Sequence, residues 1–119
     1  MYKIVKEEVR KMSNYNIDIT LYEHINQGGE TYIAQGNDFK FERNLHQHNW
    51  GDRISSIKIL NGYLMAFEHI DFGGSCLSRG PNTVLSSLPE GWNDTISSYI
   101  ASENFMSIQE AINKARLEM

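Results

Sequence analysis

Cysteine is almost missing from this chain of 119 residues: Cys76 stands alone, so no disulfide can close within it and no cysteine-based zinc site can form. A basic excess is missing too. The net charge of −4 leaves no footprint for a phosphate backbone, and nucleic acid is not an expected partner. No apolar run approaches the roughly 18 residues of a membrane span. The opening Met-Tyr-Lys-Ile-Val-Lys-Glu-Glu also lacks the apolar stretch of a signal peptide. The expectation is therefore no membrane and a cytoplasmic location, with export left open. What remains is 22% charged and 40% hydrophobic residues, enough for one domain around one small core. Its stability must come from packing or from a ligand that is not a thiol.

The chain repeats itself. Tyr22-Glu23-His24-Ile25-Asn26-Gln27-Gly28-Gly29 returns 45 residues later as Phe67-Glu68-His69-Ile70-Asp71-Phe72-Gly73-Gly74, with five of eight positions identical. Trp50-Gly51-Asp52-Arg53-Ile54-Ser55-Ser56 returns 42 residues later as Trp92-Asn93-Asp94-Thr95-Ile96-Ser97-Ser98, with five of seven identical. The blocks keep their order, and the three-residue difference in spacing is what a surface loop absorbs. Two copies of one motif thus make up the body.

Within each copy the period is two. Ile17, Ile19 and Leu21 alternate with Asp18 and Thr20, Ile57-Lys58-Ile59 does the same, and Tyr63 to Phe67 and Ser97 to Ala101 are further strands. Gln27-Gly28-Gly29, Asn61-Gly62, Phe72-Gly73-Gly74 and Gly80-Pro81-Asn82 supply turns. One motif of about 40 residues cannot bury its own apolar face, so the pattern predicts an all-β sandwich of two packed four-stranded Greek keys. The divisions are an extension over 1–16, a domain over 17–101 with motifs at about 17–61 and 62–101, and a C-terminal extension over 102–119. The ends read as helices. Tyr2, Val5, Val9 and Met12 recur at helical spacing, with Glu7 four residues before Lys11. Ser107-Ile108-Gln109-Glu110 is a capping box, followed by an apolar face of Phe105, Ile108, Ala111, Ile112 and Ala115 reaching about Glu118. Such helices serve either as lids on the sandwich or as a surface for a homodimer or protein partner.

Asn93-Asp94-x-x-Ser97-Ser98 gathers a carboxylate, an amide, two hydroxyls and turn carbonyls within six residues, an oxygen-rich set suited to a hard cation such as calcium. Gly51-Asp52-x-x-Ser55-Ser56 repeats it but loses one side chain at Gly51. Asp and Ser of this kind also serve ordinary turns by bonding local backbone. A matched pair in a tandem repeat is the stronger signal.

These residues resemble the βγ-crystallin family, and in particular its single-domain, calcium-binding microbial members. The likeness spans about residues 17 to 101 and is carried by the aromatic-to-glycine runs Tyr22 to Gly29 and Phe67 to Gly74, and by the stretch Asn/Asp-Asn/Asp-x-x-Ser/Thr-Ser. Asn93 to Ser98 fits that stretch in full. Gly51 to Ser56 departs at its first position, and Gln27 stands where the family usually has an aromatic, which Phe72 supplies in the second copy. The resemblance implies up to two Ca2+ ions held between the loops, with Asp52 paired with Ser97 and Asp94 with Ser55. Backbone carbonyls of Gly51, Asn93, Glu23 and Glu68 would fill out the shells. The site using Asp94, with its complete stretch, is expected to be the stronger. One carboxylate per site implies binding of roughly 10⁻⁶ to 10⁻³ M, and stabilisation of an already folded sandwich rather than a switch in shape. A structural or stress- and dormancy-related role is what the resemblance implies.

Other residues read as structure. Trp50 and Trp92 precede the two loops as core anchors, Tyr22 and Phe67 pack over the folded hairpins, and Cys76 behaves as a small hydrophobe on a strand. His46-Gln47-His48 would begin a zinc or copper site only if a third ligand converged, and none lies nearby in sequence. Ser86-Ser87 lacks a neighbouring base, so no enzyme is expected. The alternative function is a calcium-independent interaction module acting through the terminal helices; a secreted inhibitor or toxin is disfavoured without disulfides and a signal segment.

Overall fold

The computed structural model describes residues 14–119, so the helix expected from Tyr2 to Met12 lies outside the described residues. The alternation read from the sequence becomes β1 (Ile17–His24), in which Ile17, Ile19 and Leu21 are fully buried and the residues between them face outward. After it come β2 (Gly28–Gly36), β3 (Phe39–Glu42), β4 (Ser56–Asn61), β5 (Tyr63–His69), β6 (Gly73–Arg79), β7 (Thr83–Leu85) and β8 (Ser98–Ser102). An α-helix, α1 (Ile108–Glu118), follows.

Two antiparallel sheets form, in the orders β2-β1-β4-β7 and β3-β8-β5-β6. The third strand of each motif crosses to its partner's sheet: β3 pairs with β8, and β7 with β4. This exchange makes two Greek keys one sandwich, because neither sheet is complete without a strand from the other motif. The shared core holds Ile19, Leu21, Ile57 and Ile59 against Leu64, Ala66, Tyr99 and Ala101, closed by Leu45, Ile54, Leu88 and Ile96. Trp50 belongs to this core, and Trp92 packs partly buried against it.

Each β-hairpin folds over at its tip. Asn26 and Gln27 in one copy, and Asp71 and Phe72 in the other, take positive φ; Gly29 (φ +77°) and Gly74 (φ +75°) follow. A Cβ on Gly29 would lie 2.6 Å from the His24 ring and one on Gly74 2.7 Å from the His69 ring, so both positions need glycine twice over. Gln27, in the place of the aromatic, instead donates from Nε2 to the Leu85 carbonyl at 3.0 Å, tying the fold to strand β7.

The outer faces of the sheets differ. Across the first, Ile33, Thr20, Lys58 and Val84 lie in register and meet solvent or lie half-buried. Across the second, Met65, Ile100 and Phe41 occupy the equivalent row and are covered. The cover is α1, which buries Ala111 and Ala115 on Met65, Phe67 and Ile100. Ser107 caps it with Glu110 completing the reciprocal bond, as the sequence predicts. Phe105, assigned to the buried face by spacing, is exposed and rests edge-on against Tyr63. It precedes the cap, so helical periodicity does not govern it.

Candidate metal centre

The two Asp-x-x-Ser-Ser loops meet at one end of the sandwich as near copies of one another. Ile54 and Ile96, fully buried, plug the core beneath them. Asp52 N donates to the Ile96 carbonyl and Asp94 N to the Ile54 carbonyl, both at 3.1 Å. Ser55 N donates to Tyr22 O and Ser97 N to Phe67 O, both at 2.9 Å, which clamps each loop to the folded hairpin of the repeat. Both aspartates sit at φ +59°, a conformation that Asp tolerates because its short side chain bonds locally.

The side chains then cross between motifs. Ser55 Oγ donates to Asp94 Oδ1 at 3.1 Å, and Ser97 Oγ to Asp52 Oδ1 at 3.3 Å. These are the two pairs the resemblance implies, drawn together from positions 39 and 45 residues apart. Both serines are buried while both carboxylates reach solvent. The second serine of each stretch does something else. Ser56 Oγ donates to His24 O and accepts from Gln27 N, and Ser98 Oγ donates to His69 O and accepts from Phe72 N, at matching distances of 2.6 and 3.1 Å. Fully buried, Ser56 and Ser98 hold the folded hairpins to the sheets.

Two clefts flank the crossing, and Asp52 and Asp94 line both. One, of about 480 Å³, adds Glu68, His69, Thr95, Ser97 and His46. The other, of about 260 Å³, adds Glu23, His24, Ser55 and Arg53. The repeat pairs Glu23 with Glu68 and His24 with His69, whereas Arg53 corresponds to Thr95 and His46 to Leu88. The clefts therefore share a frame and differ in charge. Arg53 Nη2 lies 2.8 Å from Glu23 Oε2 and 3.0 Å from Glu30 Oε1, with its guanidinium 4.7 Å from the centre of the Trp50 ring. It holds the Glu23 carboxyl below its ordinary range. His46 lies over Gly51, where a Cβ would come within 2.1 Å of Nδ1, and its Nε2 is 3.2 Å from Ser97 Oγ. The glycine that breaks the Asn/Asp pattern is thus what gives the imidazole its place.

Calcium fits this donor chemistry. Oxygens 3.1 to 3.3 Å apart subtend roughly 75–90° at a Ca2+ about 2.3–2.6 Å from each, the ligand spacing of a six- to eight-coordinate shell. Among the described residues no three His, Cys, Asp or Glu side chains converge on one point, so hydroxyls, backbone carbonyls and water must complete any shell. Of the other expected ligands, Gly51 and Asn93 directly precede the two aspartates, and Glu23 and Glu68 directly follow the clamped Tyr22 and Phe67. The Asn93 amide points to its neighbour, Nδ2 lying 3.4 Å from Asp94 Oδ2. The paired histidines diverge: His48 Nε2 bonds Glu42 Oε1 at 2.7 Å, away from His46. Arg53 carries no functional reading in the sequence and His46 only that of a pair with His48; comparing each with its repeat partner is the signal that singles them out.

Comparison with known proteins agrees with this architecture. The family described as Beta/Gamma crystallin matches residues 18–109. A βγ-crystallin from an archaeon is 32% identical over 70% of this chain and 94% of its own, with a TM-score of 0.54. One from Ciona intestinalis is 25% identical over 69% and 95%, with a TM-score of 0.61. A βγ-crystallin domain from Flavobacterium johnsoniae is 26% identical over 74% and 98%, with a TM-score of 0.57. No curated protein matches the chain significantly.

Proposed function

Because the chain belongs to the βγ-crystallin family, we propose that it is a non-enzymatic structural domain that binds up to two calcium ions between its Greek keys and is stabilised by them. The observation that carries this reading is the reciprocal crossing of Ser55 to Asp94 and Ser97 to Asp52. Each pair takes one oxygen from each motif, so an ion held there ties the motifs together and binds the folded state alone. Such an ion stabilises by RT ln(1 + [Ca]/Kd), about 2.7 kcal/mol at a hundredfold excess over Kd, a large share of a small domain's stability.

The two sites are unequal. Motif completeness ranks the Asp94 site first, but charge reverses the order. The guanidinium of Arg53 already neutralises Glu23 in the cleft that holds Asp94 and Ser55. The cleft of Asp52 and Ser97 carries Glu68 as well and no Lys or Arg among its lining residues. It therefore fills first, with an affinity of roughly 10⁻⁶ to 10⁻³ M, as expected of sites poor in carboxylates. The cellular role that follows is structural or stress-related: a rise in calcium hardens a fold that exists without it. Helix α1 acts as a lid, since Ala111 and Ala115 are spent on the second sheet.

Isothermal titration of the metal-stripped full chain tests this. Wild type should take up two ions in unequal steps, Asp52→Ala should lose the tighter and Asp94→Ala the weaker. Absence of binding in wild type, or binding in both variants equal to wild type, would overturn the reading.

A further inference from the structure

We propose that the outer face of the first sheet is a docking surface for the chain's own N-terminal segment, residues 1–13, which lie outside the described residues. On the second sheet the row Phe41, Ile100 and Met65 lies under α1. Its repeat counterparts on the first sheet are Val84, Lys58 and Thr20, and Ile33 on β2 extends that row. Ile33 and Val84 are large, apolar and each 55% exposed. They stand three strand spacings, about 14 Å, apart across β2-β1-β4-β7. A helix with its side chains is about 10–12 Å wide, so it fits between them, over Thr20 and the aliphatic stem of Lys58.

The sequence and the entry point name the occupant. Tyr2, Val5, Val9 and Met12 put four apolar side chains on one face at helical spacing. The chain is delivered to the right place: Asn61 Nδ2 donates to Tyr15 O at 2.9 Å, and Asn16 N donates to Asn37 Oδ1 at 3.1 Å. These bonds pin it where central strand β1 begins, between the ends of β2 and β4. The lengths agree, since Tyr2 to Met12 rises about 15 Å as a helix and Asp18 to Tyr22 runs about 14 Å along β1. The charges agree as well. Residues 1–13 hold four Lys or Arg against two Glu, whereas residues 14–119 hold seven Lys or Arg against thirteen Asp or Glu. A basic segment on an acidic domain is attracted to it, and salt weakens the attraction. With Thr20 and Lys58 on its floor this seat is less apolar than that of α1. The segment is therefore a detachable cover, and α1 a fixed one.

Limited trypsin digestion of the full chain tests this at Lys6, Arg10 and Lys11, with a free peptide of residues 1–13 as the reference at each salt concentration. Cleavage in wild type should be roughly tenfold slower than in the peptide at low salt, and should approach it in molar sodium chloride. Ile33→Asp and Val84→Asp should bring the rate to within about threefold of the peptide's. Leu117→Asp, on the exposed side of α1, should keep the wild-type protection. Val9→Asp removes the contact from the segment's side without touching the sandwich, so the result does not hang on a sheet variant that folds. Wild-type cleavage at the peptide's rate, or protection indifferent to Ile33→Asp and Val9→Asp, overturns the inference. So does a dimer by light scattering that Ile33→Asp splits, which would give the face to a second copy. Protection gained only on adding phosphatidylserine vesicles would assign the apolar stripe to a membrane and overturn it too.

Discussion

Replacing Ser98 with alanine separates the fold from the ion. Its hydroxyl is fully buried, donates to His69 O at 2.6 Å and accepts from the buried N–H of Phe72 at 3.1 Å. Deleting one oxygen leaves two backbone groups without their partner at a hairpin fold that turns through Asp71 and Phe72 at positive φ. The buried Phe72 N–H so orphaned costs about 1–1.5 kcal/mol and the part-buried His69 carbonyl less, giving roughly 2 kcal/mol in all. At roughly 3–6 °C per kcal/mol for a chain of this length, the melting midpoint should fall on the order of 10 °C. Thermal unfolding in chelator measures this with no ion present. Ser56→Ala makes the equivalent change where Gln27 is only half-buried, and its loss should be the smaller. Ser97→Ala, one residue away, should leave the apo midpoint nearly unchanged and remove the response to calcium. A shift below 0.5 kcal/mol for Ser98→Ala, or equal apo losses for Ser97 and Ser98, would refute the division of labour between the two serines.

Replacing Arg53 with glutamine takes a positive charge from the Asp94 cleft, and calcium affinity there should rise roughly fivefold by Coulomb's law in a water-like medium; an unchanged or weaker second binding step would count against the charge argument. Cys76, half-buried on β6, has its thiol pushed up to about 11 by burial, so its alkylation near pH 8 should be far slower in the native chain than in denaturant. Equal rates in the two states would place the thiol at the surface. The Glu110 carboxyl is held below its ordinary value by its bonds to Ser107, so its contribution is present above pH 4.5 and disappears as pH falls through the lowered value. The protection of the Ala111 and Ala115 amides, taken as the exchange rate relative to the unstructured chain at the same pH, should fall on acidification, and Glu110→Gln should flatten that dependence.

Much of this molecule is legible in the sequence because the repeat exposes it. Period-two runs give the strands, matched glycines give the folded hairpins, and the doubled Asp-x-x-Ser-Ser gives the loops that meet. The contrast of Met65, Phe67 and Ile100 with Thr20, Tyr22 and Lys58 at corresponding positions even marks which sheet needs a lid. What stays hidden is whatever breaks the repeat. His46 reaches Ser97 across 51 residues, and nothing in the run His46-Gln47-His48 says that its two rings part company. Arg53 reads as a surface charge until the fold sets it against Glu23 and Glu30. The strand exchange that places β3 and β7 in each other's sheets is a tertiary fact, since no local pattern distinguishes an exchanged strand from one that stays.

The most direct test of the central claim is the melting midpoint of the metal-stripped full chain in chelator and in millimolar calcium. Ions bridging Asp52 to Ser97 and Asp94 to Ser55 should raise it by on the order of 10 °C, with both states folded at room temperature. Identical midpoints at every calcium concentration would contradict the account and leave a βγ-crystallin whose crossed loops serve the fold alone.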